Sequence, residues 1–164
     1  FYYYNSEVEE WLPTTDRGKM VDLFKESISN YFFAESGVDK EQLVEIYNNS
    51  IFVPCGRGNT SLNCFRQYEA TICGSIPVVV WRWINEVDIV FKYSKKPIPW
   101  IFAYSWEEAI QKCQELLANP EELQKLQNEN INWWNSLMGN IRERVSTVIF
   151  EKVNNMTEIG RAHV

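Results

Sequence analysis

Apolar and polar positions along this chain change period every ten to fifteen residues, and the changes define its elements. Met20, Leu23, Phe24 and Ile28 fall at helical spacing between Asp16 and Asn30, with Asp16 placed to cap that helix. Tyr31 to Ala34 is a short aromatic run that predicts a strand, as does Phe1 to Asn5. Asp39 to Asn48 predicts a helix burying Leu43, Val44, Ile46 and Tyr47. Ser50 to Pro54 predicts a strand and Cys55 to Asn63 a turn-rich loop. Cys64 to Cys73 predicts a helix stopped by Gly74, and Ile76 to Trp81 a buried strand. Trp81 to Pro97 is irregular and aromatic, and Pro97 to Ala103 is a further short strand. Ser105-Trp106-Glu107-Glu108 reads as a capping box for a helix reaching about Ala118. From Pro120, the positions of Leu123, Leu126, Ile131, Trp134 and Leu137 support a long helix, with Gly139 as a candidate kink. Alternating strands and helices predict an α/β fold, a parallel sheet with helices on both faces.

Composition narrows the class. At 164 residues, with 45% hydrophobic and 15% aromatic residues, the chain can build one real core. A net charge of −6 and the lack of a clustered basic face argue against a nucleic-acid or anionic-membrane partner. The longest apolar run, Ile76 to Val80, is far too short to span a bilayer. The four cysteines, Cys55, Cys64, Cys73 and Cys113, lack CxxC spacing, so a zinc or thioredoxin-type site is not expected; they are read as packed thiols, with room for one disulfide in an oxidising lumen. Sequons at Asn48, Asn59 and Asn155 fit such a compartment. The chain opens at Phe1 without a Met and is expected to be one domain, residues 1–158, of a larger protein. Residues 159–164, IGRAHV, resemble a translated sequencing adapter and are expected to be non-native, which would remove His163, the only histidine.

Candidate chemistry concentrates between Ser50 and Val80. There the strand, loop, helix and second strand form a βαβ unit whose loop opens onto a helix N-terminus, a place where free N–H groups and the helix dipole favour an anion. Gly56, Arg57, Gly58, Asn59 and Ser61 lie in that loop. Arg66 and Glu69 follow three apart on one helix face. Two readings stand for that pair. Either it is a surface ion pair, or Arg66 takes a diphosphate in a bidentate grip while Glu69 accepts hydrogen bonds from ribose hydroxyls. Asn63 is the expected cap of the helix. A glycan on Asn59 would block the loop, so Asn59 is expected to be unmodified.

The order P-x-G-R-G, F-R-x-Y-E-A and C-G-S-I-P-V-V-V resembles the nucleotide-sugar half of exostosin-type glycosyltransferases, over roughly residues 40 to 150. Pro54 and Gly56 match the strand-end turn, Arg66 and Glu69 the helix, and Gly74, Ile76 and Pro77 the entry to the next strand. The loop before Arg66 is longer than the family pattern, and Asn63-Cys64-Phe65 stands where a Ser or Thr often precedes the Arg. The resemblance implies the Rossmann-like C-terminal domain of a GT-B enzyme that holds a nucleotide sugar, with a UDP-sugar expected. Arg66 would then meet the diphosphate and Glu69 the ribose. It places Arg82, Trp83, Asn85 and Glu86 near the transferred sugar, with Trp83 the first choice for an aromatic platform. Trp81, Phe91, Tyr93 and Trp100 otherwise read as packing.

It further implies a catalytic base on a missing N-terminal domain, a glycan acceptor as second substrate, and residence in the Golgi or endoplasmic reticulum lumen through an anchor outside this segment. The long C-terminal helix would cross onto that other domain through Trp133 or Trp134, which as a plain pattern read as core. No metal or other cofactor is expected, and the Asp-x-Asp metal motif of the other main glycosyltransferase fold is absent from the sequence. The rival function is a non-catalytic glycan- or nucleotide-binding module. A dinucleotide-binding site is disfavoured because Gly56-Arg57-Gly58 is followed by Ser61 where a third glycine would be needed.

Overall fold

A computed structural model describes residues 13–33, 38–58, 61–83, 85–94 and 96–161. Three strands, β1 (Phe52–Pro54), β2 (Ile76–Val80) and β3 (Ile101–Ala103), form one parallel sheet in the order β1-β2-β3. Among the described residues six helices accompany them: α1 (Pro13–Ser27), α2 (Lys40–Asn48), α3 (Phe65–Ile72), α4 (Glu86–Val90), α5 (Trp106–Leu117) and α6 (Pro120–Arg161). The fold is α/β, as the alternating pattern predicts.

Strand β2 is central, and all five of its residues are buried. A strand covered on both faces needs no polar alternation, which is why Ile-Pro-Val-Val-Val reads as one apolar run. Its register pairs Val53 with Pro77 on one side and Val79 with Phe102 on the other. Pro77 costs no ladder bond. Ile76 donates toward β1, to the Ile51 carbonyl at 2.8 Å; the nitrogen of the next residue therefore faces β3, whose pairing begins only at Val78 with Ile101.

Side chains alternating across the sheet feed two cores. Val53 and Val79 join Tyr47, Leu62, Ala70, Phe91, Trp100 and Trp133 on the face of α2, α3 and the middle of α6. Ile76, Val78, Val80, Ile101 and Ala103 join Trp106, Ala109 and Cys113 on the face of α5. There Met20, Leu23 and Phe24 of α1 and Leu123 and Leu126 of α6 complete the layer. Helices thus cover both faces.

Several expectations shift. Tyr31 to Phe33 is not a strand: its side chains are exposed, with the Lys25 ammonium 3.8 Å from the Phe33 ring centre, and no described strand lies beside it to pair with. Ala34 and Phe1 to Asn5 lie outside the described residues. Asp16 does not cap α1; it lies in the helix's first turn, buried, accepting a hydrogen bond from Trp106 Nε1 at 2.9 Å. Of the four residues expected to be buried in α2, Tyr47 is buried, Leu43 and Ile46 are half-buried, and Val44 is exposed; Tyr47 and Leu43 are the ones packed at the core cluster. Asp39 does cap α2, in a capping box with Gln42.

Helix α6 passes through Gly139 without interruption. Its first half is anchored by Asn130, whose side chain donates to the Ser75 carbonyl at 2.8 Å, and by Trp133, whose indole donates to Ser94 Oγ at 3.0 Å. Both tryptophans, Trp133 and Trp134, are packed against the core. Every described side chain from Gly139 to Val153 is exposed.

Candidate functional site

Ligands of open parallel sheets bind beyond the carboxyl ends of the strands, and in this fold that edge carries most of the buried charge. Strand β1 ends at Pro54, and Cys55 extends the pairing by donating to the Val78 carbonyl at 2.8 Å. The loop then turns under tight contacts. A Cβ on Gly56 would lie 2.8 Å from Arg17 Cγ, and one on Gly58 would lie 2.6 Å from the Asn63 carbonyl oxygen and 3.1 Å from that of Ser61. The two glycines let α1 close over the loop and let the loop fold back on itself. Asn59 and Thr60 lie outside the described residues. Ser61 Oγ accepts from the Asn63 N–H at 3.2 Å.

Leu62, wholly buried, seats the end of the loop in the core, and Gln67 fixes it there: its Nε2 donates to the Leu62 carbonyl at 2.9 Å while its Oε1 accepts the Cys64 N–H at 3.1 Å. The cap of α3 is therefore Cys64 and not Asn63, which is exposed. The cap position carries a thiol, and the Gln67 amide does the anchoring.

Arg57 faces inward. Only 5% exposed, it forms a bidentate ion pair with Glu86, at 2.9 and 2.5 Å, and Glu86 is 1% exposed. Glu86 also accepts the Arg82 N–H at 2.7 Å, and the Arg57 carbonyl accepts Arg17 Nη2 at 2.8 Å. The Trp83 indole, half exposed, has the Arg57 guanidinium 5.6 Å from its ring centre. Burial lowers the Arg82 pKa and the nearby Arg57 charge lowers it further, with Asp16 and Glu86 opposing. Three arginines thus gather around two carboxylates. Asn85 turns the chain into α4 with a φ of 67°, a left-handed conformation that Asn tolerates.

Around this network the aromatic residues divide. Phe91 and Trp100 are core, Trp81 lies 4.7 Å from Tyr104 ring to ring, and Trp83 and Tyr93 reach solvent. The Trp81 indole N–H and Asp16 Oδ2 are buried without a hydrogen-bond partner.

Arg66 and Glu69 occupy a second place, on α3 beyond the loop. Arg66 is exposed and Glu69 half-buried. Among the described residues four ion pairs form, and none joins these two. Both lie near Tyr47 of α2; burial raises its hydroxyl to about 12, against the pull of the Arg66 guanidinium. The structure thus separates the sequence-predicted set. Gly56 and Gly58 shape the loop, Arg57 and Trp83 belong to the buried network, and Arg66 and Glu69 point their charges outward.

Asp16, Arg17 and the pairing role of Glu86 escaped the sequence reading. Their partners are 90, 40 and 29 residues away, and no local pattern marks such distances.

A shallow concavity of about 560 Å³ runs along α6 from Pro120 to Asn132 and is lined by that helix alone. A strip with one wall cannot enclose a ligand. Among the described residues no set of three or more His, Cys, Asp or Glu side chains is placed to hold a metal ion, and no helix is long and apolar enough to cross a membrane. Comparison of the chain with family models, with curated proteins and with solved structures found no match.

Proposed function

We propose that this chain is the donor-binding domain of a glycosyltransferase of the two-domain GT-B kind, holding a nucleotide diphosphate sugar whose sugar passes to a glycan acceptor. One observation carries the reading. Arg66 and Glu69 stand on one face of α3, next to the N-terminus that receives the glycine loop, without neutralising each other. Two unlike charges left unjoined within one turn fit a ligand with an anionic part and a hydroxyl-bearing part. A surface ion pair would have occupied both.

The role of each residue follows from charge. As the glycosidic bond breaks, negative charge grows on the departing diphosphate, and Arg66 with the first N–H groups of α3 would stabilise it. Glu69 would accept hydrogen bonds from the ribose. Gly56 and Gly58 would bring the loop backbone close to the phosphates. Arg57, committed to Glu86, would act by holding the loop and Trp83 in place. The base that activates the acceptor would come from a second domain, so this chain alone should bind without turnover.

Calorimetric titration of the chain with UDP and GDP, without metal and then with Mn²⁺, tests the proposal. One nucleotide should bind. Arg66→Ala should weaken it about 10- to 100-fold, the worth of a hydrogen bond to a charged group, and Glu69→Gln should act in the same direction, both with the fold intact. A folded protein that binds neither nucleotide would overturn the reading in favour of a non-catalytic module.

A further inference from the structure

The turn from α2 into β1 reads Asn48-Asn49-Ser50, an acceptor sequence for N-linked glycans that donor binding leaves unused. The fold treats its two asparagines differently. Asn49 is the C-cap of α2: its N–H bonds the Glu45 and Tyr47 carbonyls, and its side-chain amide donates to the Glu45 carbonyl at 2.9 Å. Asn48, the last residue of the helix, is exposed, and its side chain makes no hydrogen bond among the described residues. Ending the helix therefore does not use the Asn48 amide.

The inner side of the turn is fastened by its neighbours. Tyr47 is buried, Ser75 Oγ donates to the Ser50 carbonyl at 2.9 Å, and Ser50 Oγ donates to the Ile46 carbonyl at 2.7 Å. A helix turns about 100° per residue, which carries Asn48 off the face that Tyr47 packs. Its place in the sheet matters as much as its exposure. All three strands are parallel, so the start of β1 and Ser75 at the start of β2 share the amino edge, while the glycine loop with Arg57 follows β1 at the opposite, carboxyl edge. A bulky group on Asn48 would stand in solvent and leave that loop open.

We propose that Asn48 is an N-glycosylation acceptor, modified in the secretory lumen by an oligosaccharide delivered on a lipid diphosphate. The Asn48 amide nitrogen bonds to the anomeric carbon of the first sugar, the bond from that carbon to the diphosphate oxygen breaks, the lipid diphosphate leaves, and one amide proton passes to solvent. In the folded chain Asn48 is helical and Ser50 Oγ is engaged with Ile46, so the transfer belongs to the nascent chain, before α2 and β1 close. The finished fold has only to leave room, and the exposed amide does so. This inference needs the luminal compartment that the exostosin resemblance implies; it does not need the donor site.

The test is to carry the full chain into the lumen of eukaryotic cells with a cleavable leader and to collect the secreted, folded protein. Peptide mapping after enzymatic deglycosylation in heavy-oxygen water should find Asn48 converted to labelled aspartate. Asn48→Gln should migrate faster on a denaturing gel by one glycan and stay folded, since the side chain it replaces holds nothing else in place. Ser50→Thr, which keeps the hydroxyl of the acceptor sequence, should keep the glycan. An unmodified Asn48 on the secreted wild type, or unchanged mobility of Asn48→Gln, would overturn the proposal. Should Asn48→Gln not be secreted, the wild-type map decides alone. The leader supplies the compartment and no nucleotide enters the assay, so failure here is failure of the acceptor site, separate from the nucleotide titration that tests donor binding.

Discussion

Two arginine–glutamate sets sit on either side of the same loop, and they behave in opposite ways. Arg57 and Glu86 are 29 positions apart in sequence, yet they lock together in a bidentate pair from which solvent is nearly excluded. Arg66 and Glu69 are three apart on one helix, the spacing that favours a surface pair, yet no ion pair joins them. Proximity in sequence therefore did not decide which charges pair. Burial decided it: a buried Arg must find a carboxylate, because an isolated charge in the interior costs several kcal/mol, whereas charges at the surface gain little from joining. The saturated pair is suited to hold structure, and the unjoined pair keeps its hydrogen-bonding capacity for something else.

The sharpest way to test the contrast is to orphan the buried charge. Glu86→Ala leaves Arg57 without its partner in the interior and removes the acceptor of the Arg82 N–H; it should cost about 3–5 kcal/mol of stability, measured by urea unfolding. A cost below about 1 kcal/mol, the range of exposed pairs, would mean that the pair is solvated after all. Next in size is the loop between the two sets. Gly58→Ala drives a methyl group to 2.6 Å from the Asn63 carbonyl oxygen, a backbone atom that cannot swing away; a loss of about 1–3 kcal/mol is expected. Unchanged stability would show that the loop opens readily at this point.

These cases also show what the sequence made legible. Strand β2 was readable because a central parallel strand is apolar throughout. Helix α5 was readable because Ser105 accepts the Glu108 N–H three residues on, a bond that sequence spacing alone specifies. The box was only half right, since the Glu108 carboxylate takes the Tyr104 N–H and pairs with Lys112. Arg57 as a ligand candidate, Asp16 as a cap and Asn63 as a cap share one weakness. Each rests on a neighbour in sequence, and the structure supplied a competitor from far along the chain or, for Asn63, a Gln67 amide reaching back. A long-range partner leaves no periodicity to read, which is why the buried network at the carboxyl edge was not visible as a network. The unpaired state of Arg66 and Glu69 was likewise one of two open readings.

Trp83 offers a smaller test at the rim of the buried pair. Its ring stands near the Arg57 guanidinium with about half of its surface in solvent. Exposed cation–π contacts contribute about 0.5–1 kcal/mol, so Trp83→Ala should lower stability by that amount. A larger loss would show that the indole shields the ion pair from water, which would make Trp83 part of the saturated set. A larger effect on nucleotide affinity than on stability would move it to the ligand side.

The smallest expected effect is the one that separates the two sets most cleanly. In a double-mutant cycle, Arg66→Ala, Glu69→Ala and the double variant should each unfold within about 0.5 kcal/mol of the wild type, with a coupling energy below about 0.3 kcal/mol. The reason is geometric: a coupling energy measures what two side chains do together, and no ion pair links these two in the free protein. Repeated with bound nucleotide, the cycle becomes informative in the other direction. If one ligand bridges both side chains, a coupling absent from stability should emerge in affinity, because loss of either contact lets the ligand shift and weakens the other. Coupling of about 1 kcal/mol in the free protein would instead restore the surface ion pair, and with it the reading that Arg66 and Glu69 serve only each other.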